Sequence, residues 1–88
     1  MKTRENFVLR QVAKTWVVLP VGQSASSFNG MLTLNSSGAL LWKTLEQGAS
    51  RETLVDVLTD NFTVSREVAL ADVDAFLAKL LDADCIEE

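Results

Sequence analysis

Cys85 and the pair Asp72 and Asp74 are the side chains best suited to chemistry in this 88-residue chain. Neither is arranged for it. Cys85 stands beside Asp84 with Glu87 close by, and negative neighbours raise a thiol pKa and withhold the reactive thiolate. It reads as a small core or tail residue. Asp72 and Asp74 lie two apart in a stretch of helical periodicity, so their carboxylates point in different directions and cannot share a proton. Histidine, the commonest general base and transition-metal ligand, is absent, and so is tyrosine. Gly22, Gly30, Gly38 and Gly48 match no phosphate-binding spacing. The sequence predicts no catalytic residue, no metal site and no cofactor, and so a binding protein rather than an enzyme.

The elements behind these residues follow from pattern. Phe7 to Val12 alternates in polarity as a half-buried strand, and Thr15 to Val21 is β-branched and aromatic. With only Ala13-Lys14 between them, the two should pair as an antiparallel hairpin. Gly22 to Ser27 is a polar loop, Asn29-Gly30 a turn, and Met31 to Leu34 a short third strand. The period then becomes helical. Asn35 or Ser36 caps a helix that Gly48 ends, Ser50 caps a second through Phe62, and Ser65 caps a third that runs to about Ala83. Cys85 and Ile86 should fold back on the core. The expected fold is α+β: a three-stranded antiparallel sheet followed by three helices, in a single domain over residues 1–88.

Composition narrows the partners. At 48% hydrophobic and 23% charged residues, the chain has the make-up of an ordinary globular domain. Its longest apolar run, Trp16 to Val21, is too short to span a bilayer and leaves no membrane role. The absence of a signal segment and the lone cysteine point to the cytoplasm. The net charge of −4 divides into +4 over residues 1–44 and −8 over residues 45–88. Three helices beside a small sheet raise the possibility of a DNA-binding winged helix. However, the third helix region from Arg66 to Asp84 carries a net −3, which repels phosphate and argues against nucleic acid.

One gap in the charge pattern is informative. From Thr15 to Trp42, 28 consecutive residues include no Asp, Glu, Lys or Arg. Three strands cannot close a barrel, so an edge remains, and soluble proteins normally place charge on such an edge. The hairpin accounts for Thr15 to Val21 and a buried helix for Ala39 to Trp42. Gly30, Met31, Leu32, Thr33 and Leu34 are left as an open, uncharged edge. The third helix has a core stripe of Ala69, Val73, Phe76 and Leu80, and a second stripe of Leu70, Leu77 and Leu81 about 90° away. That second stripe either packs on another helix or forms one wall of a groove beside the edge. A groove of that kind would accept an extended peptide as an added strand. The same edge could instead pair with a second copy to form a homodimer.

The chain resembles the small PqqD-like proteins, the RiPP recognition elements of peptide-modifying gene clusters. The resemblance runs through Phe7-Val8-Leu9-Arg10, Trp16 to Gly22, Phe28 to Asn35 and Gly38-Ala39-Leu40-Leu41-Trp42, and ends in Asp72-Val73, Phe76-Leu77 and Leu80. It departs at Asp84, where relatives commonly have glycine. It implies a winged-helix-like fold and a non-catalytic chaperone for the leader of a ribosomally made precursor peptide. It also implies a partner modifying enzyme, which in pyrroloquinoline quinone synthesis is a radical S-adenosylmethionine protein. Carried over, the peptide-binding positions are Gly30, Met31, Leu32, Thr33 and Leu34, with Leu70, Val73, Leu77 and Leu81 as helix contacts. Acidic helix residues such as Asp74 would then favour basic leader residues.

Overall fold

The computed structural model describes residues 1–21 and 32–87. The expected hairpin is formed by β2 (Phe7–Val12) and β3 (Thr15–Pro20), which pair antiparallel from Phe7–Pro20 to Val12–Thr15. Ala13 makes the reversal at φ 57°, a left-handed conformation that disfavours any residue with a β-carbon. β4 (Leu32–Leu34) pairs with the other side of β3, setting Trp16 opposite Leu34, Val17 opposite Thr33 and Val18 opposite Leu32. The sheet order is β2-β3-β4, so β4 is an edge among the described residues. Gly30, Met31 and the Gly22 to Ser27 loop lie outside the described residues.

Three helices follow, each opened by a side-chain cap. In α1 (Ser36–Glu46), the Asn35 carboxamide oxygen accepts from the Gly38 N–H at 2.8 Å. In α2 (Arg51–Asn61), Ser50 accepts from the Thr53 N–H at 3.1 Å. In α3 (Arg66–Asp82), Ser65 accepts from the Val68 N–H at 3.2 Å. Each bond satisfies a backbone donor that the first helical turn leaves without a partner, worth about 1 kcal/mol. The α+β order of three strands then three helices is as expected from the sequence.

Two further strands were not expected. β1 (Lys2–Thr3) and β5 (Ile86–Glu87) form a separate antiparallel ribbon, which ties the two ends of the chain together. At two residues each they are too short to show any period. The turn into β5 explains the departure at Asp84. Asp84 has φ 57° and donates its N–H to the Leu81 carbonyl, while Cys85 donates to the Leu80 carbonyl. These two bonds make a Schellman ending, whose left-handed residue is usually glycine. Cys85 and Ile86 are thereby turned into the core, as the sequence led one to expect.

The core lies between the sheet and the helices. Val18 and Leu34 from the sheet meet Trp42 and Leu45 of α1, Leu54 and Leu58 of α2, and Val73 and Leu80 of α3. Trp42, Leu45, Leu54 and Leu80 are fully buried, and each such side chain contributes about 1.5–3 kcal/mol through lost contact with water.

Candidate functional site

The edge of β4 and the flank of α3 enclose a groove of about 300 Å³. Thr33, Leu34 and Asn35 form its strand side, and Asp72, Ala75, Phe76 and Lys79 form its helix side. Gly38, Leu41 and Leu58 lie between them. A second hollow of about 270 Å³ shares Asn35, Ser37, Leu58 and Asp72 with the first and continues past the end of β4 to Phe62 and Val64. The surface is therefore a trough that begins at the sheet edge and passes the N-terminus of α1.

Each wall has a local cause. Leu32 and Leu34 turn inward, and alternation leaves Thr33 exposed between them. Asn35 ends the strand and is held there by its cap bond to Gly38 and by the Ser37 hydroxyl, which donates to it at 2.9 Å. Gly38 permits the close approach. A β-carbon there would lie 3.2 Å from Asn35 Oδ1 and 3.3 Å from Leu34 Cβ.

Lys79 bridges the two sides. Its ammonium donates to the Thr33 carbonyl at 3.1 Å. A strand carbonyl lies in the plane of its sheet, directed at one neighbour or the other. A bond reaching it from α3 identifies the Thr33 carbonyl as directed away from β3. In an antiparallel strand the N–H of the same residue shares that direction. Thr33 thus presents both a donor and an acceptor at the free edge, whereas Leu32 and Leu34 spend theirs on β3.

The helix side of the groove differs from the expected one. None of Leu70, Val73, Leu77 and Leu81 lines it. Val73 is fully buried and Leu77 nearly so, both within the core, and Leu70 packs against that core half-buried. Leu81 is exposed. On the helical wheel, Asp72, Ala75, Phe76 and Lys79 centre about 80° to one side of the core stripe, and Leu70, Leu77 and Leu81 about 90° to the other. The wheel separates the two flanks, but the packing of α3 decides which of them meets β4.

The carboxylates of α3 differ in their partners. Asp74 is engaged with Arg51 of α2, whose Nε and Nη2 donate to its two carboxylate oxygens at 2.6 and 2.8 Å. The hydrogen bond from Arg51 holds the Asp74 carboxyl below its ordinary pKa. Asp72 is the acidic residue at the groove, and among the described residues it has no ion-pair partner. The Lys43 ammonium stands 4.4 Å from the centre of the ring of Trp16, itself opposite Leu34. Cys85 lies away from the groove, and burial pushes its thiol pKa up to about 11. No group of His, Cys, Asp and Glu among the described residues is placed to hold a metal ion.

Residues 15–86 match the family model described as Coenzyme PQQ synthesis protein D (PqqD). The chain belongs to the PqqD family. The chain is also similar to two solved structures. One is TbiB1 in complex with the TbiA(beta) leader peptide, at TM-score 0.78 and 25% identity, covering 99% of this chain and 95% of that one. The other is lasso peptide synthetase B1 complexed with the leader peptide, at TM-score 0.72 and 26% identity, covering 92% of this chain and 89% of that one. No curated protein matches the chain. The PqqD resemblance read from the sequence is borne out by the family match.

Proposed function

We propose that this PqqD-family chain is a non-catalytic peptide chaperone. It takes up the leader of a ribosomally made precursor peptide as an added strand on β4 and presents it to a separate modifying enzyme. Radical S-adenosylmethionine proteins are one class of such enzyme. The observation that carries this reading is the uncharged β4 edge, with the outward N–H and C=O of Thr33, set beside a groove of about 300 Å³. Strand addition supplies affinity through main-chain bonds and specificity through alternate side chains entering a neighbouring pocket. The two similar structures, each in complex with a leader peptide, support peptide binding by this fold.

The proposed contacts are Leu32, Thr33 and Leu34 on the strand, extended through Gly30 and Met31. On α3 they are Asp72, Ala75, Phe76 and Lys79 in place of the leucine stripe. Thr33→Pro tests the reading, since it removes an outward N–H without taking a ladder bond from β3. Proline at Leu32 or Leu34 would instead break the sheet itself. Peptides selected from a displayed random 12-residue library serve as ligands, with circular dichroism to confirm that the variant is folded. The expected result is at least a tenfold loss of affinity, from about 1.5 kcal/mol for a lost main-chain bond and its distorted neighbours. A folded Thr33→Pro protein that binds as well as the parent would count against strand addition. The same edge would serve self-pairing, and a dimer that the peptide fails to dissociate would favour that second reading.

A further inference from the structure

From the charges that flank the groove we infer that it selects a peptide by a spaced pair of opposite charges. A carboxylate of the added strand meets Lys79 beside Thr33, and a cation about two or four residues toward the Asn35 end meets Asp72. The inference rests on the strand-addition reading and goes beyond it by naming the side-chain chemistry of the ligand.

Lys79 is the first support. In the free protein its ammonium sits on the Thr33 carbonyl, the acceptor that an added strand needs. A lysine there protects the edge from indiscriminate pairing. When a peptide N–H takes over that carbonyl, the ammonium is released to water at the groove wall. A carboxylate on the incoming strand would hold the released ammonium in an ion pair, whereas an apolar residue would not and a basic one would repel it. The lysine thus protects the free edge and discriminates among the strands that displace it.

Asp72 is the second support. It lines both the edge groove and its continuation past Asn35, is exposed, and has no ion-pair partner among the described residues. The neighbouring carboxylates differ: Asp74 is held by Arg51, and Asp56 by Arg66 at 3.1 Å. Lys79 lies near Thr33 and Asp72 near Asn35, Ser36 and Ser37, so α3 runs back along β4. Seven residues separate the two charges, or about 10.5 Å of helix, which matches about three residues of an extended strand at roughly 3.3 Å each. Alternation puts only every second side chain on the helix side, so side-chain reach leaves spacings of about two or four.

Phage selection from a random 12-residue library on the immobilised protein tests this, repeated on Lys79→Glu and Asp72→Lys. Selected peptides should pair Asp or Glu with Lys or Arg about two or four residues apart. Lys79→Glu should convert the acidic position to a basic one, and Asp72→Lys the basic position to an acidic one. In fluorescence anisotropy, reversing the acidic position of a selected peptide should weaken binding to the parent roughly fivefold, as for a rim ion pair, and should be recovered on Lys79→Glu. Lys79→Gln, which keeps a donor for the Thr33 carbonyl without its charge, should lose the acidic preference while still binding. The same charge pattern on parent and variants would overturn the inference while leaving strand addition intact, provided Leu32–Leu34 amide signals shift on binding. Selected peptides that leave those signals unmoved, or no selected peptide at all, would overturn both.

Discussion

Phe76 and Gly38 meet across the groove floor, where a β-carbon on Gly38 would lie 3.5 Å from Phe76 Cε1. The same β-carbon would crowd Leu34 and the Asn35 cap. Gly38→Ala should gain about 1 kcal/mol of helix propensity and lose about as much by displacing that cap, leaving net stability within about 1 kcal/mol of the parent. Gly38→Val adds bulk against Phe76 and should cost about 1–3 kcal/mol. Urea unfolding measures both. An alanine variant destabilised as much as the valine one would show that the cap cannot yield.

Left-handed residues at two turns are places where the chain departs from its best local choice. Ala13 and Asp84 both sit at φ 57°. Replacing either by glycine should stabilise the protein by about 1 kcal/mol, because the left-handed conformation costs a residue with a β-carbon roughly that much. Asp84→Gly also removes the 3.1 Å contact with Arg4, an exposed pair that subtracts little. Thermal melts of the two variants and their double should show near-additive gains, since the sites share no partner.

Cys85 carries an alkaline signature. Its thiol is fully buried and titrates at about 11, against an ordinary value of 9.0 in the unfolded chain. Between those values the unfolded state loses a proton that the folded state keeps, so stability falls as pH rises. The slope should approach about 1.4 kcal/mol per pH unit and be absent in Cys85→Ala. Ellman's reagent should react with the native protein slowly at pH 8 and promptly once denaturant is added. Prompt reaction without denaturant would show that the thiol is open to solvent.

The Arg51–Asp74 pair gives the opposite pH dependence. Because the folded carboxyl titrates below its unfolded value, its contribution is present above the unfolded pKa and lost as pH falls through the folded one. Asp74→Asn should therefore be slightly less stable than the parent at pH 7 and equal to it once the parent carboxyl is protonated. Added salt should shrink the difference at pH 7, since both partners are exposed. A gap that persists in acid would assign the effect to packing rather than charge.

Much of the fold was legible because its signals are local. The alternation of Phe7 to Val12, the two-residue break at Ala13-Lys14 and the capping serines at Ser50 and Ser65 each act within a few residues. The ribbon of Lys2–Thr3 with Ile86–Glu87 was not legible, because two residues show no period and their partners are more than 80 positions apart. Asp74 looked free in sequence because its partner Arg51 stands on a different helix, 23 residues away.

By itself the sequence determined that the domain has an uncharged third strand, three capped helices and a long helix with apolar residues on more than one face. It also determined that the chain has neither histidine nor tyrosine. Only the tertiary structure decided which flank of that long helix meets the strand. A helical wheel gives the angles between stripes, whereas the rotation of the helix against the sheet is set by long-range packing of Val73, Phe76 and Leu80 with residues far away in the chain. That rotation puts Asp72, Phe76 and Lys79 beside Thr33 and leaves Leu70 and Leu81 outside the groove.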